Sequence, residues 1–362
     1  MQYFTLAVSA LPLLFSSAVA QTFTACNPME RDDCPNNAAL STNATFNLTN
    51  SQLLDNKIWN TTAGALNWAE KGTEFTVGGR GDSPTVGSKF YLMGGIFSVV
   101  MKAAKGRGIV SSIVMQSDDL DEIDWEFIGG NNTHVQTNYF GKGNQTTFDR
   151  AIWHPVDDPQ NKMHNYTVNW TKEKIDFYID DDKVRTLNYG DANGGKNFPQ
   201  TPLNLRLGIW AGGDPEKNAK GTVEWAGGET DFGEAPFTMT VESVYVHDFS
   251  DAKEYEFGDR SGSWESIKMV EGQSYAEKRI AEPKGISAHW RALPAGARVG
   301  IVAGSVAGFG IAVCALLFFC IKQRRLGRRE HARLLEVEEK ETQDQMYWKD
   351  RINHSPNKPF TA

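Results

Sequence analysis

The chain is poor in cysteine, in positive charge and in long amphipathic runs. Four cysteines in 362 residues are too few for a disulfide scaffold, and they lack the paired spacing of a structural zinc site. Lys and Arg number 37 against 45 Asp and Glu, a formal net charge of −8, so the basic footprint of a nucleic-acid binder is missing. Seven histidines fall into no H-E-x-x-H spacing. No G-x-S-x-G elbow presents a serine, and no glycine-rich loop is set to cradle phosphate. These patterns predict no cofactor and no metal. What is present, 40% hydrophobic and 11% aromatic residues, fits a globular protein rather than a disordered one.

Two apolar runs divide the chain. Residues 1–20 read as a secretory signal, with Phe4 to Val19 apolar and Ala18-Val19-Ala20 a small-x-small cleavage pattern before Gln21. Val299 to Ile321 is uncharged and long enough to span a bilayer. Lys322, Arg324, Arg325, Arg328 and Arg329 follow it at once, which makes that end cytoplasmic by the positive-inside rule. The expectation is a single-pass type I membrane protein at the cell surface. It has an ectodomain over 21–272, a polar juxtamembrane stalk over 273–298, the span 299–321 and a disordered tail over 322–362. Gly300, Gly304 and Gly308 form a small-residue stripe suited to helix pairing in the membrane. The tail has 10 Lys/Arg and 7 Asp/Glu, leaving −11 for residues 1–321.

The lumenal part carries glycosylation sequons at Asn43, Asn47, Asn60, Asn131, Asn144, Asn165 and Asn169. Its only two cysteines, Cys26 and Cys34, are expected to pair in an oxidising compartment. From Phe90 to Phe249 short β-rich runs alternate with Gly, Asn, Asp and Pro: Gly95–Met101, Gly108–Met115, Glu122–Ile128, His134–Phe140, Tyr166–Trp170, Lys174–Ile179, Leu203–Trp210 and Phe237–His247. Many short strands at this spacing predict an all-β sandwich or jelly roll.

One run stands apart. In Asp121-Glu122-Ile123-Asp124-Trp125-Glu126-Phe127-Ile128 a strand places Glu122, Asp124 and Glu126 on one face and Ile123, Trp125 and Phe127 on the other. Acids are poor strand formers and repel along a face. One reading is a solvated outer face. The other is a glycosidase centre, in which crowding raises one carboxyl pKa and so supplies the acid. Glu122 and Glu126 have Cα atoms roughly 13 Å apart along a strand, so a retaining pair needs side chains that lean together.

This segment resembles the Glu-x-Asp-x-Glu active-site strand of glycoside hydrolase family 16. The likeness runs from about residue 45 to 250 and includes Gly95 to Lys102, Gln136 to Phe140, Ile175 to Asp180 and Leu207 to Trp210. Gln136 to Gly143 and Trp210-Ala211-Gly212-Gly213-Asp214-Pro215 resemble the fungal Crh-type cell-wall transglycosylases, as does the Cys26/Cys34 pair. The resemblance implies a concanavalin A-like β-jelly roll with a sugar groove. It also implies retaining chemistry, with chitin as donor and chitin or β-glucan as acceptor. Carried onto this chain, Glu122 is the nucleophile, Glu126 the general acid/base and Asp124 an assisting group. Gln136 and Asn138 contact sugar, while Tyr139, Trp210 and Trp225 stack on sugar faces. The chain departs from the pattern in lacking a cysteine-rich chitin-binding module and in carrying a membrane span. Two other readings stay open: an endo-hydrolase of chitin or β-glucan without transfer, and a catalytically silent carbohydrate-binding wall sensor.

Overall fold

The structure, a computed structural model, describes residues 23–353 apart from Leu53, Phe148, Lys284 and Gly285. The leader expected over residues 1–20 lies outside the described residues. The chain forms two compact units, one ending at Glu282 and one beginning at Pro283.

The first unit is built on strands. In chain order they are β1 (Asn37–Ala38), β2 (Asn43–Asn47), β3 (Trp59–Ala63), β4 (Leu66–Ala69), β5 (Gly72–Val77), β6 (Thr85–Ser88), β7 (Gly95–Lys102), β8 (Ile109–Gln116) and β9 (Glu122–Ile128). There follow β10 (His134–Phe140), β11 (Ile152–Pro155), β12 (His164–Trp170), β13 (Lys174–Ile179), β14 (Asp182–Asn188), β15 (Asn204–Ala211), β16 (Phe237–Asp248), β17 (Glu254–Phe257) and β18 (Ile267–Val270). One sheet has the order β11-β10-β9-β8-β15-β6-β3, and a second β14-β13-β12-β7-β16-β5-β4 with β2 also on β16. A small sheet, β1-β17-β18, flanks them. Pairing within these sheets is antiparallel throughout. This is the two-layer sandwich that the alternating runs predict.

The core follows from the alternation. On β9, Ile123 and Trp125 are 0% exposed and Phe127 is 2% exposed. Trp125 meets Tyr166 and Phe177 of the second sheet with ring centroids 5.5 Å apart, and Phe127 meets Tyr166 at 4.6 Å. Such pairs add about 0.5–1.5 kcal/mol each beyond the buried area. The acids of β9 therefore face the other way, and a one-residue slip would drive them into the core.

The turn before β9 is locked by a buried carboxylate. Asp121 accepts hydrogen bonds from the backbone amides of Lys142, Gln200 and Thr201 and from the Thr201 hydroxyl at 2.7–3.1 Å. That ties the start of β9 to two distant loops. At the N-terminal end, Cys26 and Cys34 are joined by a disulfide. Arg260 holds Asp32 within the loop this bond closes, through two guanidinium contacts.

Two boundaries differ from the sequence reading. The first unit does not stop at 272, where the ectodomain was expected to end. Helix α2 (Tyr275–Ala281) follows α1 (Lys220–Trp225) in the same unit; Ser274 caps it by accepting from the Glu277 amide and donates to the Leu40 carbonyl. Ser274 and Ala276 are buried, so these residues are part of the fold rather than of a stalk. In the second unit α3 (Ile286–Ala292) precedes α4 (Ala295–Asn353). Helix α4 contains Val299–Ile321 and is the one helix among the described residues long and apolar enough to cross a membrane. It continues to Asn353, where a disordered tail was expected. From Arg328 to Asn353 the sequence has no glycine or proline and is rich in Glu, Lys, Arg, Gln and Leu, so helix propensity prevails without apolar patterning.

Candidate active site

The register assembles one face from four strands. Glu122, Asp124 and Glu126 lie opposite Gln116, Val114 and Ser112 of β8. On the other side they lie opposite Phe140, Asn138 and Gln136 of β10. Beyond β8, Asn204, Arg206, Gly208 and Trp210 of β15 continue the same rows. Gln136 and Asn138 thus flank the acids directly. Trp153 of β11 lies opposite Gln136 and is 42% exposed.

Two of the three acids are held almost out of water, and Glu126 is half-buried. Glu122 is 7% exposed and Asp124 3%. Burial is the first cause of a raised pKa at each, because it penalises the charged form. Glu122 is pushed up to about 7; a hydrogen bond from Gln116 and the charge of Arg206 pull it back. Glu126 is pushed up to about 8 by burial and by the charge of Glu122. Asp124 lies well above the ordinary range, through burial and through both glutamates. Its Oδ1 is buried without a partner.

The environments of the two glutamates differ in kind. Gln116 Nε2 donates to Glu122 Oε1 at 2.8 Å. Arg206 is buried on the same side and donates to Asn204 Oδ1 and to the Phe23 carbonyl. A charged acceptor is therefore favoured at Glu122. Glu126 lies between Ser112 and Gln136, no cation pulls its raised pKa back, and an indole pair lies one residue row away. Trp210 and Trp225 stack with centroids 6.3 Å apart and 27° between planes. Both pack on Val110, Ile128 and Ala226. Trp225 Nε1 donates to Gln136 Oε1 at 3.1 Å, and Gln136 lies opposite Glu126. Neighbouring carboxyls whose environments push their proton affinities apart are suited to divided acid and base roles.

One expected position needs correction. Tyr139 is not on the acid-bearing face. It lies opposite Ile123, between the sheets, with Arg185 at 5.3 Å and Arg150 at 5.9 Å from its ring centroid. Strand alternation puts it on the opposite side from Asn138 and Phe140. Trp225 ends a short helix, α1, and reaches the face from there. Sequence reading passed over Gln116, Arg206, Trp153 and Phe23. Register alone links Gln116 and Arg206 to the acids, and no motif marks either. Among the described residues no group of three or more His, Cys, Asp or Glu is arranged to hold a metal ion.

A two-sheet sandwich with a crowded carboxylate strand on its open face, flanked by amides and indoles, defines a glycosidase-class protein. Residues 44–227 match the family described as glycosyl hydrolases family 16, and the chain belongs to that family. Within it the chain groups with Crh-like proteins. It is 50% identical to Crh-like protein 2 of Botryotinia fuckeliana over 350 residues, covering 95% of this chain and 77% of that protein. It is 46% identical to Congo red hypersensitive protein 1 of Saccharomyces cerevisiae over 250 residues, covering 69% of this chain and 48% of that protein. The solved structure of apo Crh5 transglycosylase superposes with a TM-score of 0.65 at 52% identity, covering 67% of this chain and all of that one. The same transglycosylase in complex with NAG covers 67% and 99%, with the same TM-score and identity.

Proposed function

We propose that this protein is a retaining transglycosylase that cleaves chitin and transfers the cut chain to chitin or β-glucan in the wall. The observation that carries this reading is the asymmetry of β9. Glu122 is supplied with a donor amide and a guanidinium that pull its pKa down, and Glu126, beside the row that carries the indoles, has neither. Glu122 in its ionised form attacks the anomeric carbon. Glu126 gives its proton to the departing glycosidic oxygen, and a glycosyl ester forms on Glu122. Asp124, whose proton is favoured by burial and then by both glutamates, donates a hydrogen bond to whichever glutamate carries charge. Glu126 then takes a proton from the incoming hydroxyl, which opens the ester. Water gives hydrolysis and a sugar hydroxyl gives transfer. The paired indoles of Trp210 and Trp225 supply the apolar platform that holds an acceptor sugar in preference to water. Gln136 and Asn138 hydrogen-bond the sugar.

The protein is membrane-anchored through α4. We assign its catalytic unit to the outside of the cell, because Lys322, Arg324, Arg325, Arg328 and Arg329 follow the apolar stretch. Its sequons, Asn43 to Asn169, are glycan acceptors on that side.

The test is incubation with a chitin oligomer and fluorescent chitin or β-glucan acceptors. Labelled products longer than the acceptor are expected. Shortened donor alone would establish the plain hydrolase, and no change would establish a binding protein. Azide distinguishes the glutamates. Glu122→Ala rescued by azide gives a glycosyl azide of inverted configuration, and Glu126→Ala gives a retained one. The opposite pattern would exchange the two roles.

A further inference from the structure

The first described residues lie against the nucleophile's supports. The Phe23 amide donates to Gln116 Oε1 at 3.1 Å. The Phe23 carbonyl accepts from Arg206 Nη1 at 3.1 Å. Its ring lies over the same guanidinium, 4.7 Å from centroid to Cζ. One residue therefore touches both groups that favour the ionised form of Glu122, from a point 93 positions away from Gln116 in sequence. Three residues further on, Cys26 is bonded to Cys34, and Arg260 grips Asp32 in that loop. The segment is pinned close to its contact, so little chain entropy opposes it.

We propose that Phe23 is a positioning residue of the reaction. Its backbone amide fixes which way the Gln116 amide points, and so which atom of Gln116 faces Glu122. A backbone N–H only donates, so the atom of Gln116 facing it is the oxygen. Gln116 then has only its NH₂ to offer Glu122, and that group favours the carboxylate. With the Phe23 amide removed, Gln116 is free to turn and present its oxygen. An acceptor facing Glu122 favours the protonated acid, which is no nucleophile. The inference rests on the reading of Glu122 as nucleophile and deepens it.

The other charges around Glu122 are accounted for. Asp121 and Asp124 lie beside it on its own strand and turn, and Glu126 beyond them. Arg206 faces it from β15 and itself feels Tyr91 and Asp118. The facing positions of β8 and β10, which are Gln116, Val114, Asn138 and Phe140, do not titrate. None of these acids changes when Phe23 is altered.

The experiment is the pH profile of kcat/KM for chitin-oligomer transfer, measured on the full-length enzyme in detergent. The acidic limb reports the group that must be ionised. Phe23→Pro, which has no N–H, is expected to move that limb up by about one pH unit. Activity on the limb then falls about tenfold, with KM unchanged. Phe23→Ala keeps the amide and is expected to move the limb by less than half as much. Thermal melting checks that each variant is folded. A limb for folded Phe23→Pro that coincides with wild type would overturn the proposal. So would an equal shift in Phe23→Ala, since the ring alone would then be responsible. The azide configuration at Glu122→Ala stands apart from these outcomes. If it assigns the nucleophile elsewhere, the functional reading fails; if it assigns Glu122 and the limb stays put, only the role of Phe23 fails.

Discussion

Glu122→Gln should abolish activity and make the protein more stable at neutral pH. The wild-type carboxyl has a pKa near 7 in the fold and about 4.5 when unfolded. A raised carboxyl pKa means the folded state holds the proton more tightly. Between those two values the native form binds more protons than the unfolded form, so stability falls as pH rises through that window. From one carboxyl this amounts to about 3 kcal/mol by pH 7 and less than about 1 kcal/mol at pH 5. Gln has no charge to desolvate, and its oxygen still accepts from Gln116. The expected gain is therefore at most about 3 kcal/mol at pH 7, an increase in Tm of roughly 6–12 °C for a domain of this size. Asp124 and Glu126 relax at the same time, because the three acids titrate as a cluster. The assay is thermal melting of wild type and variant at pH 5 and 7, beside transfer activity, which should fall at least about a thousandfold. A variant less stable than wild type at pH 7, with an unchanged slope against pH, would refute the assignment of a buried, desolvated charge at Glu122.

Other perturbations have defined outcomes. Trp225→Ala removes both the platform and the bond to Gln136. The ratio of transfer to hydrolysis should fall about tenfold, read from labelled products, whereas Trp225→Phe should restore much of it. Trp125→Ala empties a site shared by the two sheets and should destabilise the protein by about 3–5 kcal/mol in denaturant titration. Ser274→Ala removes a helix cap and a bond to the Leu40 carbonyl and should cost about 1–2 kcal/mol. If that substitution were neutral, residues 274–281 would not be part of the catalytic unit.

Much of this was legible in the sequence for a specific reason. Alternation on β9, β10 and β13 is strict, so their limits were read to the residue: Glu122–Ile128, His134–Phe140 and Lys174–Ile179. The edge strands Trp59–Ala63 and Ile152–Pro155 are short and half polar, so period two has little room to appear in them. Tyr139 adjoins Asn138 and Phe140, which lie on the acid-bearing face, and adjacency in a strand means opposite faces, so it points away from them. Gln116 and Arg206 were invisible for the complementary reason. Their tie to Glu122 is a matter of strand pairing, and pairing between β8, β9 and β15 leaves no trace in the spacing of one chain.

The two faces of β9 explain why so costly a strand persists. Its front carries three acids that burial drives toward the neutral form, with Glu122 alone holding back about 3 kcal/mol at pH 7. Its back carries Ile123, Trp125 and Phe127, all 2% exposed or less. Each of these contributes about 1.5–3 kcal/mol by burial, with three aromatic contacts to Tyr166 and Phe177 in addition. The back is thus of the size needed to hold the front in place. Because the same backbone carries both, the acids cannot move apart to relieve their repulsion without withdrawing Trp125 and Phe127 from the core. Repulsion that would loosen a surface loop is here kept as a permanent shift in proton affinity. In the proposed mechanism that shift lets Glu126 serve as the acid, while Gln116 and Arg206 favour the carboxylate at Glu122.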